Sequence, residues 1–389
     1  MEKAPLAYLT KLYVRATEEA ESDPEVDKEA RLLFKKIEEK DPELTAIWKS
    51  FCDFSIKDLE KIYVRLGVKF QHYIGESFYI DKIDALLQEL KAKNLLTVSE
   101  GAQVVDLGET MPPCLIVTGD GTSLYATRDL AAAIYRHNRF QFDECLYVVG
   151  SEQQLHFKQV FKVLELMGHS WAASLKHLSY GLYRFKEGKL STRKGRVVLA
   201  TEVIDEARDK SLSVIEQKNP NLKNKAEVAE KIGLGAVIFH DLATDRIKDV
   251  EFDWEKILDF EGDTGAYLLY SYARASSILR QAAAKEFFPR LHADSKSLHD
   301  SPQAITLMKS FGDLEPSILG AVRLKKPSIV ANYAIDLAQN FSAFYRNVKV
   351  IEEGAPQMEI EARLSLVEAF RIVLASTLRL LCVQTVEEM

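Results

Sequence analysis

Cys145-Leu146-Tyr147-Val148-Val149-Gly150-Ser151-Glu152-Gln153-Gln154 sets the architecture of this 389-residue chain. An unbroken apolar run from Cys145 to Val149 predicts a short strand buried on both faces. Gly150 ends it, and Ser151 with Gln154 predicts a capping box. The helix that follows carries Phe157, Val160, Phe161, Leu164 and Met167 on one face, at the 3.6-residue period. Strand, glycine turn and helix in this order form one α/β unit of a parallel sheet, a construction that binds ligands at the carboxyl ends of its strands.

Working outward toward the amino end, Gly119-Asp120-Gly121 predicts a turn, and Thr127 an N-cap for a helix bearing Leu130, Ala133 and Ile134. Short β-prone runs between Val104 and Val117, interrupted by the turn-forming stretch from Glu109 to Pro113, predict a small inserted sheet. The first hundred residues read as mostly helical. Val26, Ala30, Leu33, Phe34 and Ile37 share a face, as do Ile56, Leu59, Ile62, Tyr63 and Leu66, with Asp23-Pro24 and Asp41-Pro42 as punctuation. From about Glu202 onward helical periodicity dominates and no further strand is expected. Ile257 to Leu279 and Ile329 to Phe344 are amphipathic, and so is the series Leu364, Val367, Phe370, Leu374, Leu378, Leu381. Pro289 to Pro302, rich in Ser, His and Asp, predicts a surface loop.

Composition narrows the function classes. A hydrophobic fraction of 47% beside 28% charged residues describes a soluble globular protein of two or three domains. The net charge of −7 excludes a uniformly basic nucleic-acid binder but leaves room for a local basic site. Cys52, Cys114, Cys145 and Cys382 stand too far apart for a CxxC pair, so they read as free thiols, with no structural zinc or redox dithiol. No run of about 18 apolar residues spans a membrane and no signal-peptide core opens the chain. The expected location is the cytosol, or an organelle.

Against that acidic background Gly188-Lys189-Leu190-Ser191-Thr192-Arg193-Lys194-Gly195-Arg196 stands out. Five cations lie between Lys186 and Arg196, with Glu187 the lone acid. Glycines at both ends, hydroxyls and clustered cations suit a polyphosphate, although GxxxxGK[ST] is not matched; composition alone favours a solvated basic hairpin tip.

Lys189 to Arg193 resembles the KMSKS signature of class I aminoacyl-tRNA synthetases, in the form typical of arginyl-tRNA synthetases. Four further blocks are similar to that family and stand in its order. They are Gly75 to Tyr79, Asp120 to Ala131, Val149 to Gln153 with His156-Phe157, and Phe252 to Trp254 followed by Phe260 to Gly265 and Tyr272 to Arg274. The resemblance implies the latter half of a Rossmann-like α/β catalytic domain with an inserted connective region, followed by an all-α anticodon-binding helical bundle. The implied division is 1–117 for the connective region, 118–201 for the incomplete catalytic domain with its KMSKS-like loop, 202–263 for a helical stem-contact segment and 264–389 for the bundle.

The resemblance also implies residue roles. Lys189, Ser191 and Lys194 fall in the catalytic loop. Gly150, His156, Lys189 and Arg193 are implied in ATP binding, and Tyr125, Asp129 and Gln153 in holding the side chain of L-arginine. Asp129 can take two parallel hydrogen bonds from a planar guanidinium, which a lysine ammonium cannot reproduce; an acid in a first helical turn is also what the helix dipole favours. For His156, adenine or ribose contact and a buried hydrogen-bonded histidine stand open. Arg274, Tyr345 and Arg346 are implied in tRNA binding, whereas Phe341 and Phe344 read as core. The implied activity is that of an arginine–tRNA ligase, using ATP with Mg2+, L-arginine and tRNA(Arg), with no resident metal and no membrane partner. The expected state is a monomer.

No HIGH-like tetrad occurs, and Gly168-His169 lies in the wrong order for one. The chain is therefore expected to be a fragment, inactive without a complementary N-terminal half, or else a non-catalytic tRNA-binding or regulatory paralogue. Leu190 and Thr192 depart from the general loop signature, and Ala266 and Leu269 from the family's pattern near the bundle's first turn.

Overall fold

The computed structural model describes residues 5–109, 111–119, 123–185, 198–292 and 295–389. The chain falls into two compact units, Met1–Gln71 and His72–Met389. The first is three helices, α1 (Pro5–Ser22), α2 (Pro24–Glu38) and α3 (Pro42–Leu66). The two Asp-Pro pairs are the helix starts. Asp23 accepts from the amide of Glu25, and Asp41 from those of Glu43 and Leu44, while each proline occupies the first helical position, where its missing N–H costs nothing. Gly67 closes α3 in the left-handed region at φ +67°.

The second unit opens with a 3-10 turn (Glu76–Lys82), α4 (Ile83–Ala92) and the expected small sheet of β1 (Leu96–Ser99), β2 (Ala102–Val105) and β3 (Cys114–Val117), paired antiparallel in that order. Then come α5 (Tyr125–Phe140), β4 (Cys145–Gly150), a 3-10 turn (Ser151–Gln153), α6 (Gln154–Leu166) and β5 (Leu175–Tyr180). β4 and β5 are parallel, in register from Cys145 with Leu175 to Gly150 with Tyr180. Leu90, Val105, Ile116, Leu130, Val160 and Leu164 form the core between these helices and strands.

Three local expectations are corrected here. β4 is not covered on both faces: Tyr147 is buried, but Leu146 and Val148 are 42% and 65% exposed. Among the described residues the sheet has only two strands, so alternate side chains of an apolar run face outward. Ser151 makes no capping box, because the chain leaves the strand through a 3-10 turn and α6 begins at Gln154 without a side-chain cap. Thr127 is not an N-cap either. Leu124 is the cap residue of α5, and the fully buried Thr127 hydroxyl instead donates to the carbonyl of Ile116 at the end of β3.

The remainder is β6 (Tyr183–Phe185), α7 (Ala200–Lys218), α8 (Lys225–Ala243), β7 (Val250–Phe252), α9 (Trp254–Ile257), α10 (Gly265–Ala283), α11 (Lys296–His299), α12 (Pro302–Phe311), α13 (Leu314–Leu324), α14 (Ser328–Asn347) and α15 (Gln357–Leu380). β7 is a strand where none was expected; it runs parallel to β6. The amphipathic run from Ile257 to Leu279 is not one helix but breaks after α9, and Thr264 caps α10 by accepting from the amide of Tyr267. The bundle core is built on Phe239, Leu268, Phe341, Phe344, Phe370 and Leu374. Burying each such ring or branched chain contributes about 1.5–3 kcal/mol.

Bundle and sheet are tied at one junction. Arg246 donates to the carbonyl of Ser179 at the end of β5 (2.5 Å) and to that of Lys325 after α13 (3.3 Å), while Lys326 pairs with Asp245 at 2.6 Å. Asp249 takes hydrogen bonds from the Leu182 amide and the Arg184 guanidinium, fixing β6 against β7. Among the described residues no helix is long and apolar enough to cross a membrane.

Candidate functional site

Helices α5 and α6 each begin at one end of the small parallel sheet, and their first turns bring four polar side chains together. Thr127, bonded to Ile116, pins the start of α5 to β3. Tyr125 and Asp129 lie four residues apart and so on the same face of that helix. β4 then delivers Gly150, and the turn after it places Gln153 and His156 opposite.

His156 Nε2 stands 2.7 Å from Asp129 Oδ2, with both side chains about four-fifths buried. Tyr125 hydrogen-bonds Gln153, and its ring lies 5.1 Å from the imidazole of His156. The Tyr125 hydroxyl is pushed upward by burial first, and by the Asp129 and Glu76 carboxylates, with the Gln153 hydrogen bond opposing. Gly150 is buried at the strand's end, and a Cβ there would meet the Glu152 carboxylate at 2.3 Å. The result is a small polar cluster at the carboxyl end of β4, with one carboxylate, a phenol, an amide and an imidazole. It suits a flat cation better than an anion. A separate cavity of about 630 Å³, lined by His240, Lys256, Asp263, Thr264, Asp336 and Gln339, lies among α8, α10 and α14 and holds none of these residues.

On the bundle, Arg274 of α10 lies over the ring of Tyr270 (4.6 Å) and beside that of Tyr345 on α14 (5.3 Å). Arg346, next in sequence, turns back to its own helix and donates to the carbonyl of Ser342. Phe341 and Phe344 are buried, with Phe341 stacked on Phe370, as their spacing led one to expect. Lys189, Ser191, Arg193 and Lys194 lie outside the described residues, as do Asp120, Gly121 and Thr122.

Similarity to known proteins agrees with this layout. The family described as tRNA synthetases class I (R), catalytic domain, matches residues 1–254, and the DALR anticodon binding domain matches 268–389. The arginine–tRNA ligase of Clostridium perfringens is 46% identical over all of this chain, which spans 68% of that protein, and one from Clostridium botulinum is 48% identical over the same share. The chain belongs to the arginyl-tRNA synthetase family. The solved arginyl-tRNA synthetase of Thermus thermophilus shares the fold at TM-score 0.80 and 24% identity, over 98% of this chain and 69% of that one. That of Plasmodium falciparum does so at TM-score 0.74, with 62% of its chain covered. A methionyl-tRNA synthetase of Mycobacterium tuberculosis follows at TM-score 0.56 and 12% identity, a likeness of fold alone.

As a homologue of arginyl-tRNA synthetases, the chain keeps Tyr125, Asp129 and Gln153 in one place, together with His156. One ion pair had no assigned role in the sequence reading: Arg128 of α5 meets Glu76 at 3.0 Å and the carbonyl of Ser123 at 3.3 Å. It ties the Gly75-to-Tyr79 block to the helix that carries Asp129. Its signal was the recurrence of that block in the family, since nothing in a lone Glu announces a partner 52 residues away. Arg136, on the same helix, lies within 6 Å of the rings of Tyr79 and Tyr147 and joins that block to β4.

Proposed function

We propose that this chain is the KMSKS-bearing portion of an arginine–tRNA ligase, which activates L-arginine with ATP and transfers it to tRNA(Arg). The observation that carries the reading is the position of Asp129, about three-quarters buried beside Tyr125 and Gln153 at the carboxyl end of β4. A guanidinium laid against that cluster meets the carboxylate edge-on through two N–H groups, whereas an ammonium offers a point charge. A nucleotide is assigned to the carboxyl end of β4, beside Gly150, in keeping with ligand binding at such edges. Lys189, Ser191, Arg193 and Lys194 supply the cations and hydroxyl that offset charge building on the α-phosphate during adenylate formation. Mg2+ would arrive with the nucleotide's phosphates. No group of three or more His, Cys, Asp or Glu among the described residues is arranged to hold a metal by itself, so no step is assigned to the ion.

We assign tRNA contact to Arg274, Tyr345 and Arg346 on the bundle, and divide the chain at 1–117, 118–201, 202–263 and 264–389 on the same family map. The working state is a monomer in the cytoplasm, where tRNA charging serves protein synthesis. The 389 residues contain no HIGH-like tetrad, and adenylate formation in class I synthetases uses that signature.

The test is arginine- and tRNA-dependent ATP–pyrophosphate exchange, by this chain alone and with the N-terminal third of a family member added. We expect no exchange alone and measurable exchange with the added part. In that reconstituted enzyme Asp129→Asn should raise the arginine KM by about thirtyfold or more while leaving the ATP KM in place, since stripping one partner from a buried charge pair costs about 2–5 kcal/mol. Exchange by the isolated chain would refute the need for the missing signature. Tight tRNA binding with no exchange under either condition would favour a tRNA-binding paralogue without catalysis.

A further inference from the structure

We infer that His156 is a positioning residue for the guanidinium-binding carboxylate: it holds Asp129 from the far side of the pocket, and its action falls on arginine and not on the nucleotide. The inference rests on the arginine-pocket reading above and adds to it the means by which Asp129 is aimed.

An aspartate turns about its last torsion with little resistance, because that sp³–sp² rotation is broad. Bidentate pairing with a planar guanidinium needs the carboxylate plane fixed. Tyr125 does not fix it, since among the described residues no hydrogen bond joins its hydroxyl to Asp129, which acts on it only through charge. His156 does. Its Nε2 lies 2.7 Å from Oδ2, and its ring is held in turn by Tyr125 on one side and Phe157 on the other, at 5.1 Å each. Each carboxylate oxygen offers two acceptor lobes. Donation from Nε2–H occupies one lobe of Oδ2 and leaves its second lobe, with both of Oδ1, for substrate. Among the described residues Oδ1 accepts no other hydrogen bond. The two residues stand 27 apart in sequence, on helices brought side by side by β4. Any shift of α6 against α5 therefore reaches the Asp129 carboxylate directly.

The test uses the 389-residue chain with L-arginine, L-lysine and ATP as separate probes in equilibrium binding, and thermal unfolding as the control for folding. His156→Ala should weaken arginine binding by about ten- to a hundredfold, the range for losing a hydrogen bond to a charged group, with ATP binding unmoved. His156→Gln, whose amide can donate to Asp129, should recover most of the loss. A role in packing alone would not produce that recovery or the split between arginine and ATP. Wild-type preference for arginine with an unmoved His156→Ala would overturn this inference alone, and so would a loss of ATP binding as large as the loss of arginine binding. A wild-type chain with no preference for arginine over lysine would overturn the pocket reading, and this inference with it.

Discussion

Tyr345 and Phe344 are neighbours on α14 and should answer to mutation in opposite ways. Tyr345 is 41% exposed and Phe344 is fully buried. Removing the Tyr345 ring takes away only a partly solvated surface and its contact with the Arg274 guanidinium, a cation–π pair worth about 0.5–1 kcal/mol at an exposed site. Tyr345→Ala should therefore leave the melting temperature nearly in place. If a base of tRNA stacks on that ring, the same change removes about 1–3 kcal/mol of binding, or about five- to a hundred-and-fiftyfold in affinity. Tyr345→Phe keeps the stacking face and should bind as wild type. Phe344→Ala opens a hole in the bundle core and should cost about 3–5 kcal/mol of stability. Arg274→Ala should flatten the salt dependence, lowering the slope of log K against log salt by about 0.7–0.9 for one lost phosphate contact. The assay is fluorescence anisotropy with tRNA(Arg) across a salt series, beside thermal melts of each variant. An unchanged tRNA affinity for Tyr345→Ala with an intact melt would refute a stacking role for this face. An affinity loss that tracks melting would show the ring to be structural.

Gly233 in α8 faces the backbone of α7, and a Cβ there would come within 2.6 Å of Ala207 C and Arg208 N. Gly233→Val should thus cost at least about 1–3 kcal/mol, read as a lower melting temperature, because backbone cannot yield as a side chain does; an unmoved melt would refute the close approach. The loop before α11 is strapped to α15 by His292 on Glu361, a contact that, with Gln357, holds the Glu361 carboxyl below its ordinary range. Stability from this group is complete above the unperturbed value of about 4.3 and is lost as pH falls through the lower folded one. Hydrogen exchange should show the strap loosening in acid for wild type, while Glu361→Gln should show no such pH step. Burial pushes the Cys114 thiol up to about 11. It should resist alkylation at neutral pH under conditions that label the exposed Cys382, and equal labelling of the two in the folded protein would count against the β3 packing.

The helical bundle was legible because its helices repeat a single period over long spans. Phe341, Phe344, Phe370 and Leu374 recur at helical spacing and all are buried. The order of β4, turn and α6 was legible for the same reason, since a short apolar run bounded by glycine can lead into little else. What such a run does not carry is how many of its faces are covered. Leu146 and Val148 look the same in sequence whether a second layer packs on them or not. Thr127 was misread because hydroxyl residues near a helix start are common caps, and its actual partner, the carbonyl of Ile116, is fixed only by the placement of β3. β7 is three residues long, below what alternation can signal. Within the site, the pairing of Tyr125 with Asp129 is a helical spacing, whereas the bond from Asp129 to His156 exists only after β4 has set α5 beside α6.

The open face of β4 and the chemistry proposed for its carboxyl end bear on one another. Cys145 to Gly150 contains neither proline nor a charged residue, the usual means by which an exposed strand edge is blunted. Among the described residues β4 pairs with β5 alone, and Leu146 and Val148 stand in solvent. A parallel strand of this composition is ordinarily an interior one, covered on both faces. The two clostridial arginine–tRNA ligases compared above are about half as long again, since this chain spans 68% of their length. Gly150, Gln153 and His156 follow directly at the carboxyl end of this uncovered strand, so a change in what packs on β4 acts on the residues around Asp129 as well.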